Sequence, residues 1–440
     1  MSVPVILIFD VGKTNKKLLL FNEQYEIVYE ESIQLKEIKD EDDFPCEDVD
    51  VLTEWIKNSF NKIIGDKRFE IKAINFSAYG ASFVNINKDG KTITPLYNYL
   101  KPYPDKIKQQ FYATYGDENV IARETASPVL GSLNSGLQLY RLKCQQPETF
   151  NQIKYSLHLP QYLSYIFSNE FVTDITGIGC HTMLWNFETN DYHNWVSKEG
   201  VNKKFAPIYN SDKIIAHLKK INIGIGLHDS SAALIPYLKF CNEPFVLIST
   251  GTWCISLNPF NCSPLTDEEL KNDCLCYFTY EGKPVKASRL FAGYEHEVQT
   301  KKLSQHFNKA VDYYKTVRHD TAFLNKIKNE KVNFSGEDLK MFDSYEEAYH
   351  ALMFDIIQKQ VASANFILNN SSVKKIFVDG GFSTNEIYMK MLADEYDDIE
   401  IFAATVPCAT ALGAAIALHQ HWNNKQLPEN LIRLKLFKLK

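Results

Sequence analysis

Candidate chemistry in this sequence begins at an apolar run, Val5–Phe9, that ends in the carboxylate of Asp10. The turn that follows contains Gly12, Lys13, Thr14 and Asn15. A second apolar run, Lys17–Phe21, leaves the turn, so the pattern predicts a buried β-hairpin. Glycine lets the backbone approach a ligand, amide and hydroxyl hydrogens can bind phosphate, and a carboxylate can meet a metal ion. An ordinary hairpin with a polar turn fits this stretch equally well.

The same pattern returns later in the chain. An apolar strand beginning at Phe245 enters a turn with Thr250, Gly251 and Thr252, and a strand leaves it. A third apolar run ends at Asp379 and is followed by Gly380, Gly381, Phe382 and Asn385. Each segment alone is more often a plain tight turn, but the three together indicate a nucleotide held between two domains. The repeat suggests duplication of one domain, with a boundary near Pro236–Pro244.

Two common nucleotide motifs do not fit. Gly12-Lys13-Thr14 resembles the end of a Walker A loop, but Leu7 stands where that loop needs its first glycine. A strand, rather than a helix, is also predicted to follow. The pairs at Gly177/Gly179 and Gly224/Gly226 lack the third glycine of a dinucleotide-binding fingerprint.

Strand, helix and strand alternate along the chain, which indicates an α/β sheet with crossover connections. The predicted strands are Val3–Phe9, Lys17–Phe21, Tyr25–Leu35, Ile71–Phe76, Leu275–Thr279, Val285–Ser288 and Ile401–Ala404, with a hairpin formed by Ser82–Ile86 and Thr92–Pro95. The predicted helices are Val51–Ile64, Leu133–Cys144, Pro147–Phe150, 158–167, Tyr345–Leu368 and Ala409–His419. Lys39–Asp50 is predicted to be a solvated acidic loop, Pro207–Ile223 a loop and a helix, and Leu290–Gln299 a helix with a solvated face.

Composition excludes several classes of function. A formal net charge of −6 and an isoelectric point near 6.0 argue against binding to nucleic acid. Nine cysteines without a zinc-type spacing indicate reduced thiols in a cytoplasmic protein. The apolar run at Val3–Phe9 is too short for a signal peptide, and no apolar run is long enough for a membrane span.

In the order of its motifs, nearly the whole chain resembles the FGGY family of carbohydrate kinases. The segments that carry the resemblance are Asp10–Asn15, Ser249–Trp253, Asp379–Asn385, Ala409–Ala415, Gly226–Ala233, and Leu159–Leu163 through Phe171–Asp174. The form of Gly226–Ala233 and of Ala78–Phe83 is most similar to the rhamnulokinase branch. The resemblance implies an α/β fold of two duplicated ribonuclease H-like (actin-like ATPase) domains with an interdomain cleft. We expect an N-terminal domain at residues 1–238 and a C-terminal domain at residues 239–440.

The resemblance also implies a site for ATP and Mg²⁺. Asp10 would hold the metal ion, and the nucleotide would be bound by Asp10, Gly12, Lys13, Thr14, Asn15, Thr250, Gly251, Thr252, Gly380, Gly381, Phe382 and Asn385. Asp229 would be the catalytic base that accepts a proton from the attacking hydroxyl. From the residues alone, Asp229 is more often a helix N-cap, and the resemblance is what favours catalysis.

The predicted substrate-binding residues are Tyr79, Gly80, Ala81, His228 and Asp229. Tyr97 and Tyr99 are weaker candidates, and Trp185 and Trp195 are predicted to be packing or surface aromatics. Two positions depart from the family pattern. Lys13 replaces a small residue, where its charge would strengthen phosphate binding, and Cys408 stands where a glutamate is common.

The expected protein is a transferase of carbohydrate metabolism. It would move the γ-phosphoryl group of ATP to a ketose or deoxyketose similar to rhamnulose, fuculose or xylulose. A kinase of glycerol or another polyol, or a non-sugar actin-like ATPase or regulator, stays open. We expect a small-molecule sugar as partner, no nucleic acid, no membrane, and a monomer or homodimer.

Overall fold

The computed structural model describes residues 2–334, 338–369 and 371–437. The strands in these ranges are β1 (Val3–Val11), β2 (Lys16–Asn22), β3 (Ile27–Ile33), β4 (Ile38–Lys39), β5 (Pro45–Cys46), β6 (Phe69–Ala78), β7 (Phe83–Ile86), β8 (Tyr155–His158), β9 (Thr173–Asp174), β10 (Trp185–Asn186), β11 (Asp191–Tyr192), β12 (Ile208–Tyr209), β13 (Ile214–Leu218), β14 (Ile221–Gly224), β15 (Leu227–His228), β16 (Phe245–Thr250), β17 (Cys254–Asn258), β18 (Cys274–Phe278), β19 (Pro284–Leu290), β20 (Lys375–Gly380), β21 (Glu400–Thr405) and β22 (Arg433–Leu436). The α-helices are α1 (Val49–Ile64), α2 (Asp105–Tyr115), α3 (Glu118–Glu124), α4 (Ser135–Gln145), α5 (Pro147–Gln152), α6 (Leu159–Ser168), α7 (Ile175–Ile178), α8 (Asn194–Lys198), α9 (Asp229–Phe240), α10 (Asp267–Lys271), α11 (Ala292–His306), α12 (Thr321–Glu330), α13 (Tyr345–Leu368), α14 (Glu386–Asp394), α15 (Ala409–Ala417) and α16 (His419–Trp422).

Two large mixed sheets organise the described residues, and each has seven strands. The first runs β13-β14-β6-β1-β2-β3, with β15 also paired to β6, and the second runs β18-β19-β17-β16-β20-β21-β22. In each sheet an antiparallel meander (β1-β2-β3 or β16-β17-β19) continues through parallel neighbours (β6 and β14, or β20 and β21). This shared order confirms the predicted duplication of an α/β unit.

The central strands are apolar on both faces because helices cover both sides of each sheet. In β1, Val5, Leu7 and Phe9 pack towards α1 and α6, while Ile6 and Ile8 pack towards α15. Burial on both faces accounts for the unbroken apolar runs in the sequence. It also leaves the turns at the strand ends as the places where polar groups reach solvent.

Helices α9 and α15 join the two halves. The second-half helix α15 packs on the first sheet and against α9, while Leu234 and Tyr237 of α9 pack on the second sheet. Gly413 permits the close crossing, since a Cβ there would lie 1.8 Å from the carbonyl oxygen of Ala232. The predicted domain boundary at 238/239 falls inside α9, and it stays a prediction.

Most predicted elements are present, including the first meander and the Tyr345–Leu368 helix. The predicted helix in Pro207–Ile223 is wrong, because β13 and β14 form a hairpin there. Isoleucines at 214, 215, 221 and 223 favour strand, since β-branched side chains suit a pleated surface. The predicted hairpin of Ser82–Ile86 and Thr92–Pro95 is present but short: Ile86 bridges Thr92 and the amide of Ile93 donates to the carbonyl oxygen of Asn85 at 3.0 Å. Its first strand, β7, pairs over its full length with the distant β8, which was not predicted.

The acidic stretch Lys39–Asp50 is more ordered than predicted. Strands β4 and β5 pair within it, and the side chains of Asp40 and Glu47 are buried against Lys101 and Lys16. A buried charged carboxylate needs an ion-pair or hydrogen-bond partner, and here both partner lysines lie far away in sequence. The sequence window alone therefore could not reveal them.

All nine cysteines lie within the described residues and none is in a disulfide. Across residues 2–334, 338–369 and 371–437, no helix combines the length and apolar character needed to cross a bilayer. Trp185 and Trp195 are buried, which agrees with the packing role predicted for them.

Candidate functional site

The first turn joins β1 and β2, where Val11 pairs with Lys16. The amide of Gly12 donates to the carbonyl oxygen of Asn15 at 3.0 Å and closes the turn. Thr14 is exposed at its tip. The turn therefore presents a hydroxyl and backbone groups to an incoming ligand.

Two predicted phosphate ligands of this turn are engaged elsewhere. The Lys13 ammonium lies 2.6 Å from a carboxylate oxygen of Glu37, and both side chains are partly exposed. The Asn15 side chain accepts a hydrogen bond from Gln34 at 2.9 Å. Lys13 is thus neutralised by a neighbour.

Asp10 sits in β1 immediately before the turn. Its Oδ2 accepts a hydrogen bond from the hydroxyl of Thr410 in α15, at 2.7 Å. Burial raises the pKa of Asp10 to about 6; the hydrogen bond from Thr410 lowers this pKa, and the negative charge of Asp229 raises it. Asp10 and Asp229, far apart in sequence, therefore lie close enough to interact.

Asp229 is the first residue of α9, and its carboxylate is about one-third exposed. The Oδ1 atom accepts a hydrogen bond from the amide of Ser230 at 2.6 Å and lies 3.2 Å from Nε2 of His228. A helix N-terminus favours a negative charge at this position. A negatively charged oxygen with solvent access is what a general base requires.

His228 is buried between two polar neighbours. Its Nε2 lies 3.3 Å from the sulfur of Cys180, and its ring stacks on Tyr277 with centroids 5.7 Å apart. Burial lowers the pKa of His228, and the charge of Asp229 raises it in part. The net lowering favours a neutral imidazole.

The sugar-side segment predicted at Tyr79–Ala81 follows β6 and lies against His228. A Cβ on Gly80 would come within 2.8 Å of the His228 ring, so glycine allows the contact. Ala81 adopts the left-handed conformation with φ 65°, an unfavourable state that is frequent at binding sites. Tyr99 meets the ring of Tyr79 edge-on at 5.9 Å. The structure therefore brings the predicted substrate residues together.

The second turn joins β16 and β17. The amide of Gly251 donates to the carbonyl oxygen of Trp253 at 2.9 Å. The hydroxyl of Thr250 donates to the backbone carbonyl of Asp379 and accepts from the amide of Phe382 at 2.9 Å. The predicted phosphate ligand Thr250 is therefore used to attach this turn to β20. Thr252 is exposed at the turn and accepts a hydrogen bond from the amide of Tyr294 through its carbonyl oxygen, at 3.1 Å.

A pocket of about 470 Å³ opens beside the second turn. Its lining includes five predicted nucleotide residues: Thr250, Gly251, Gly381, Phe382 and Asn385. Gly380 lies beneath it at φ 78°, where a Cβ would be 1.9 Å from the carbonyl oxygen of Thr250. The second turn and the later glycine-rich segment thus form one cavity.

Sequence reasoning missed the aromatic wall of this pocket. The ring of His296 lies 4.9 Å from that of Tyr314 and 5.3 Å from that of Phe382, and its Nε2 is 3.0 Å from the hydroxyl of Tyr349. The solvated helix face predicted for Leu290–Gln299 is therefore wrong at His296, which is buried in α11. The spacing of Ala292, His296, Thr300 and Leu303, all buried, is helical and could have signalled an inward face.

Charge complements the aromatic wall. Lys315 and Arg318 also line the pocket, and Asn385 donates from its amide to the hydroxyl of Tyr349 at 2.7 Å. Burial lowers the pKa of His296 to about 4, so the imidazole is neutral near pH 7. Flat neutral rings beside two cations suit an aromatic base carrying phosphates.

Asp10 is the residue best placed to hold a divalent cation. Among the described residues, no three histidine, cysteine, aspartate or glutamate side chains cluster as a complete metal site. Hard cations such as Mg²⁺ are commonly bound by one or two carboxylates together with phosphate oxygens and water. The donor set fits that mode.

Comparisons with known proteins identify the family of both halves of the chain. The model of the FGGY family of carbohydrate kinases matches through its N-terminal domain at residues 5–231. A second family model, for the C-terminal domain of FGGY carbohydrate kinases, matches residues 242–426.

The chain is similar to two rhamnulokinases. It is 23% identical over 415 residues to that of Halalkalibacterium halodurans, covering 84% of each chain. It is 22% identical over 289 residues to that of Mannheimia succiniciproducens, covering 61% of this chain and 56% of that enzyme. The chain thus spans just over half the length of the Mannheimia enzyme.

Among solved structures, a carbohydrate kinase from Novosphingobium aromaticivorans superposes with a TM-score of 0.83 at 20% identity. The superposition covers 100% of this chain and 95% of the other. At this identity the likeness concerns the fold.

Proposed function

The chain belongs to the FGGY family of carbohydrate kinases, and from this premise we propose that it transfers the γ-phosphoryl group of ATP to a hydroxyl of a ketose or deoxyketose. The placement of Asp229 carries the proposal. This carboxylate stands beside His228, whose ring lies against Gly80 of the Tyr79–Ala81 turn, and its charge acts on Asp10 at the first phosphate turn. A base in that place would lie between a sugar bound at the Tyr79–Ala81 turn and a phosphate bound at the first turn.

In the proposed reaction, the carboxylate of Asp229 accepts the proton of the attacking sugar hydroxyl. The sugar oxygen forms a bond to the γ-phosphorus, and the bond from that phosphorus to the β,γ-bridging oxygen breaks, so ADP leaves. The first turn and the backbone of Gly251 would surround the β- and γ-phosphates. Alignment and charge neutralisation supply most of the rate in such transfers.

Mg²⁺ is the proposed metal ion, and Asp10 is its proposed protein ligand. When bound, the ion would neutralise charge on the phosphate oxygens. Thr410 fixes the orientation of the Asp10 carboxylate through its hydrogen bond. The raised pKa of Asp10 supports this role, because a nearby cation would offset the cost of burying its negative charge.

We place the base and ribose of ATP in the 470 Å³ pocket, against the wall that the rings of His296, Tyr314 and Phe382 form. The names of the two rhamnulokinase relatives favour a deoxyketose such as rhamnulose, with fuculose and xylulose next. We further propose a cytoplasmic monomer or homodimer, since unpaired cysteines such as the nine here are typical of reducing compartments.

The test of the activity is ADP release with Mg²⁺·ATP and a panel of ketoses, aldoses, glycerol and other polyols. We expect one ketose or deoxyketose to give the highest kcat/KM. A response highest for a polyol would move the substrate to that class. ATP hydrolysis unchanged by every compound would reject the kinase proposal.

The test of the base is Asp229→Asn. The amide keeps the size of the side chain but cannot accept the proton, so we expect kcat to fall by roughly 10²–10⁴-fold. Binding of ADP, measured by calorimetry, should stay within threefold of wild type. A variant that turns over at the wild-type rate would exclude Asp229 as the base.

A further inference from the structure

A buried ammonium lies directly beneath the first phosphate turn. Lys16 is the first residue of β2, and its side chain is 2% exposed. Its Nζ donates to the carbonyl oxygen of Lys13 in the turn at 2.9 Å and forms an ion pair with Glu47. The turn backbone is thus attached to a charge that solvent does not reach.

The carboxylate of Glu47 also contacts Tyr79, at the proposed sugar side. The second oxygen of Glu47 accepts a hydrogen bond from the hydroxyl of Tyr79 at 3.0 Å. The backbone amide of Tyr79 also donates to the carbonyl oxygen of Val11 at 3.2 Å. A continuous polar path therefore runs from the backbone of Lys13, through Lys16 and Glu47, to Tyr79.

Stability alone is a poor explanation for this arrangement. Removing two charges from water costs several kcal/mol for each ion, and apolar replacements of buried pairs are often neutral or stabilising. The best-supported use of such pairs is to specify one geometry over others. Here the geometry specified is that of two turns which the proposed reaction must align.

We propose that Lys16 and Glu47 are positioning residues that hold the first phosphate turn and the Tyr79–Ala81 turn in the relative position needed for phosphoryl transfer. The inference rests on the proposed function, because it takes the phosphates to lie at one turn and the sugar at the other. Misplacement by about 1 Å can cost roughly 100-fold in rate. Neither Lys16 nor Glu47 touches a reacting atom in this scheme.

The second half of the molecule offers a matched control. Lys286 on β19 is 1% exposed and pairs with Glu269 at 2.7 Å, and it also donates to the hydroxyl of Ser263 at 2.7 Å. This pair has the same chemistry and similar burial. It borders neither phosphate turn, nor the Tyr79–Ala81 turn, nor the nucleotide pocket.

The experiment compares Lys16→Met, Glu47→Gln and their double variant with Lys286→Met, Glu269→Gln and theirs. Urea unfolding gives stability, and steady-state kinetics with the best ketose give kcat and both KM values. We expect all four single variants to lose stability, because each leaves a buried charge without its partner. Only the changes at Lys16 and Glu47 should lower kcat, by roughly 10-fold or more, with each KM within about threefold.

The double variant separates positioning from simple stabilisation. Lys16→Met with Glu47→Gln removes both charges, so we expect its stability to recover towards wild type while kcat stays low. Recovery of kcat together with stability would overturn the inference. An equal loss of kcat in Glu269→Gln would also overturn it.

Tyr79→Phe provides a test that does not depend on buried-charge variants folding. It deletes one hydrogen bond to Glu47 and keeps the aromatic ring, and we expect kcat to fall by about 3- to 10-fold. An unchanged kcat would overturn the link to the sugar side.

If the wild-type enzyme phosphorylates no compound of the panel, the proposed function fails and this inference falls with it. A variant that matches an active wild type overturns the positioning role alone.

Discussion

The two hairpin turns occupy equivalent places in the two sheets, yet different chemistry holds them. Beneath the first, the Lys16 ammonium binds a backbone carbonyl and Glu47. Beside the second, the hydroxyl of Thr250 joins the backbone of Asp379 and Phe382. The first attachment leads to Tyr79, at the proposed sugar side, and the second leads to the pocket proposed for the nucleotide. A repeated strand order therefore fixes where a turn lies, while its contacts differ between the two halves.

The carboxylates at the two strand ends differ in the same way. Asp10 receives a hydroxyl from Thr410 in the other half of the chain and lies near Asp229. Asp379 receives the hydroxyl of Tyr237 at 3.0 Å and is buried under the second turn. We infer a chemical role for the first carboxylate and a structural role for the second.

The largest expected effect separates these two carboxylates. Asp10→Asn keeps an acceptor for Thr410 but removes the proposed metal ligand, so we expect kcat to fall by roughly 10²–10³-fold. Asp379→Asn should lower kcat by less than about tenfold, because its charge faces no ligand in this scheme. Phosphoryl transfer to the best ketose measures both variants.

Calorimetry with ADP in the absence of metal is the control for this pair. We expect Asp10→Asn to bind ADP within about threefold of wild type. Equal losses of kcat in the two variants would mean that the carboxylates share one role.

The next effect compares the glycines of the two halves. Gly380 has φ 78° and ψ −149°, and an added Cβ would lie 1.9 Å from a backbone oxygen. We expect Gly380→Ala to cost about 2–4 kcal/mol of unfolding free energy and to weaken ADP binding at least tenfold. Gly12→Ala, whose Cβ would be 3.2 Å from the carbonyl oxygen of Asn15, should cost less than about 1 kcal/mol. Urea unfolding and calorimetry give both numbers, and equal costs would contradict the comparison.

A third effect concerns pH. Burial raises the pKa of Asp379 above its ordinary value of 3.8, and hydrogen bonds from Ser249 and Tyr237 lower it in part. The folded state therefore keeps a proton that the unfolded state releases, so this group makes the protein less stable as pH rises above about 4. We expect Asp379→Asn to remove this group's contribution to the fall of the unfolding free energy with rising pH, measured from pH 4 to pH 7.

Asp66 is the control of opposite sign. A hydrogen bond from Arg68 lowers the pKa of Asp66, so its contribution is present above the unfolded pKa and is lost as pH falls. Measured from about pH 2 to pH 5, where this contribution is lost, Asp66→Asn should change the pH dependence in the direction opposite to Asp379→Asn. Changes of the same sign in both variants would be evidence against the inferred burial effect.

The smallest effect is expected at Lys13. Its ammonium is paired with the exposed Glu37, and such surface pairs contribute about 0–1 kcal/mol. We expect Lys13→Met to change stability by less than about 0.5 kcal/mol and the KM for ATP by less than about threefold. A much larger rise in KM would mean that Lys13 leaves Glu37 and binds phosphate, as the sequence suggested. The reciprocal change, Glu37→Gln, would then lower that KM.

Much of the fold could be predicted because strand and helix patterns are local. The hairpins at Asp10 and Thr250 and the helix Tyr345–Leu368 follow from apolar periodicity and turn residues. The helix predicted in Pro207–Ile223 was wrong because lysines and a histidine lie between the isoleucines, so the β-branched pattern of the two strands was hard to recognise. The Ser82–Ile86 strand found a partner about 70 residues away, and no local pattern encodes that choice.

The candidate site likewise contains residues that local sequence patterns indicated and residues that only the tertiary structure brought to it. The three turns with glycine and hydroxyl residues could be found in the sequence, and their repetition, rather than any one of them, indicated phosphate binding. Thr410, His296 and Tyr314 are ordinary residues in helices or short turns, and only packing brings Thr410 to Asp10 and the two rings to the pocket. Glu47 lies in a stretch that was predicted to be solvated, and its partners come from β2 and from the segment that follows β6.

The resemblance of the whole chain to a family, rather than the residues around it, made Asp229 a candidate base. By itself the sequence determined the duplicated α/β units and the three glycine-containing turns. These depend on spacing within one segment, which the chain carries wherever it is folded. The tertiary structure alone decided that Lys13 faces Glu37, that Asp10 meets Thr410, and that Lys16, Glu47 and Tyr79 share one buried path. Charge pairing in a low-dielectric interior depends on distance in space, which is set by the packing of segments far apart in the chain.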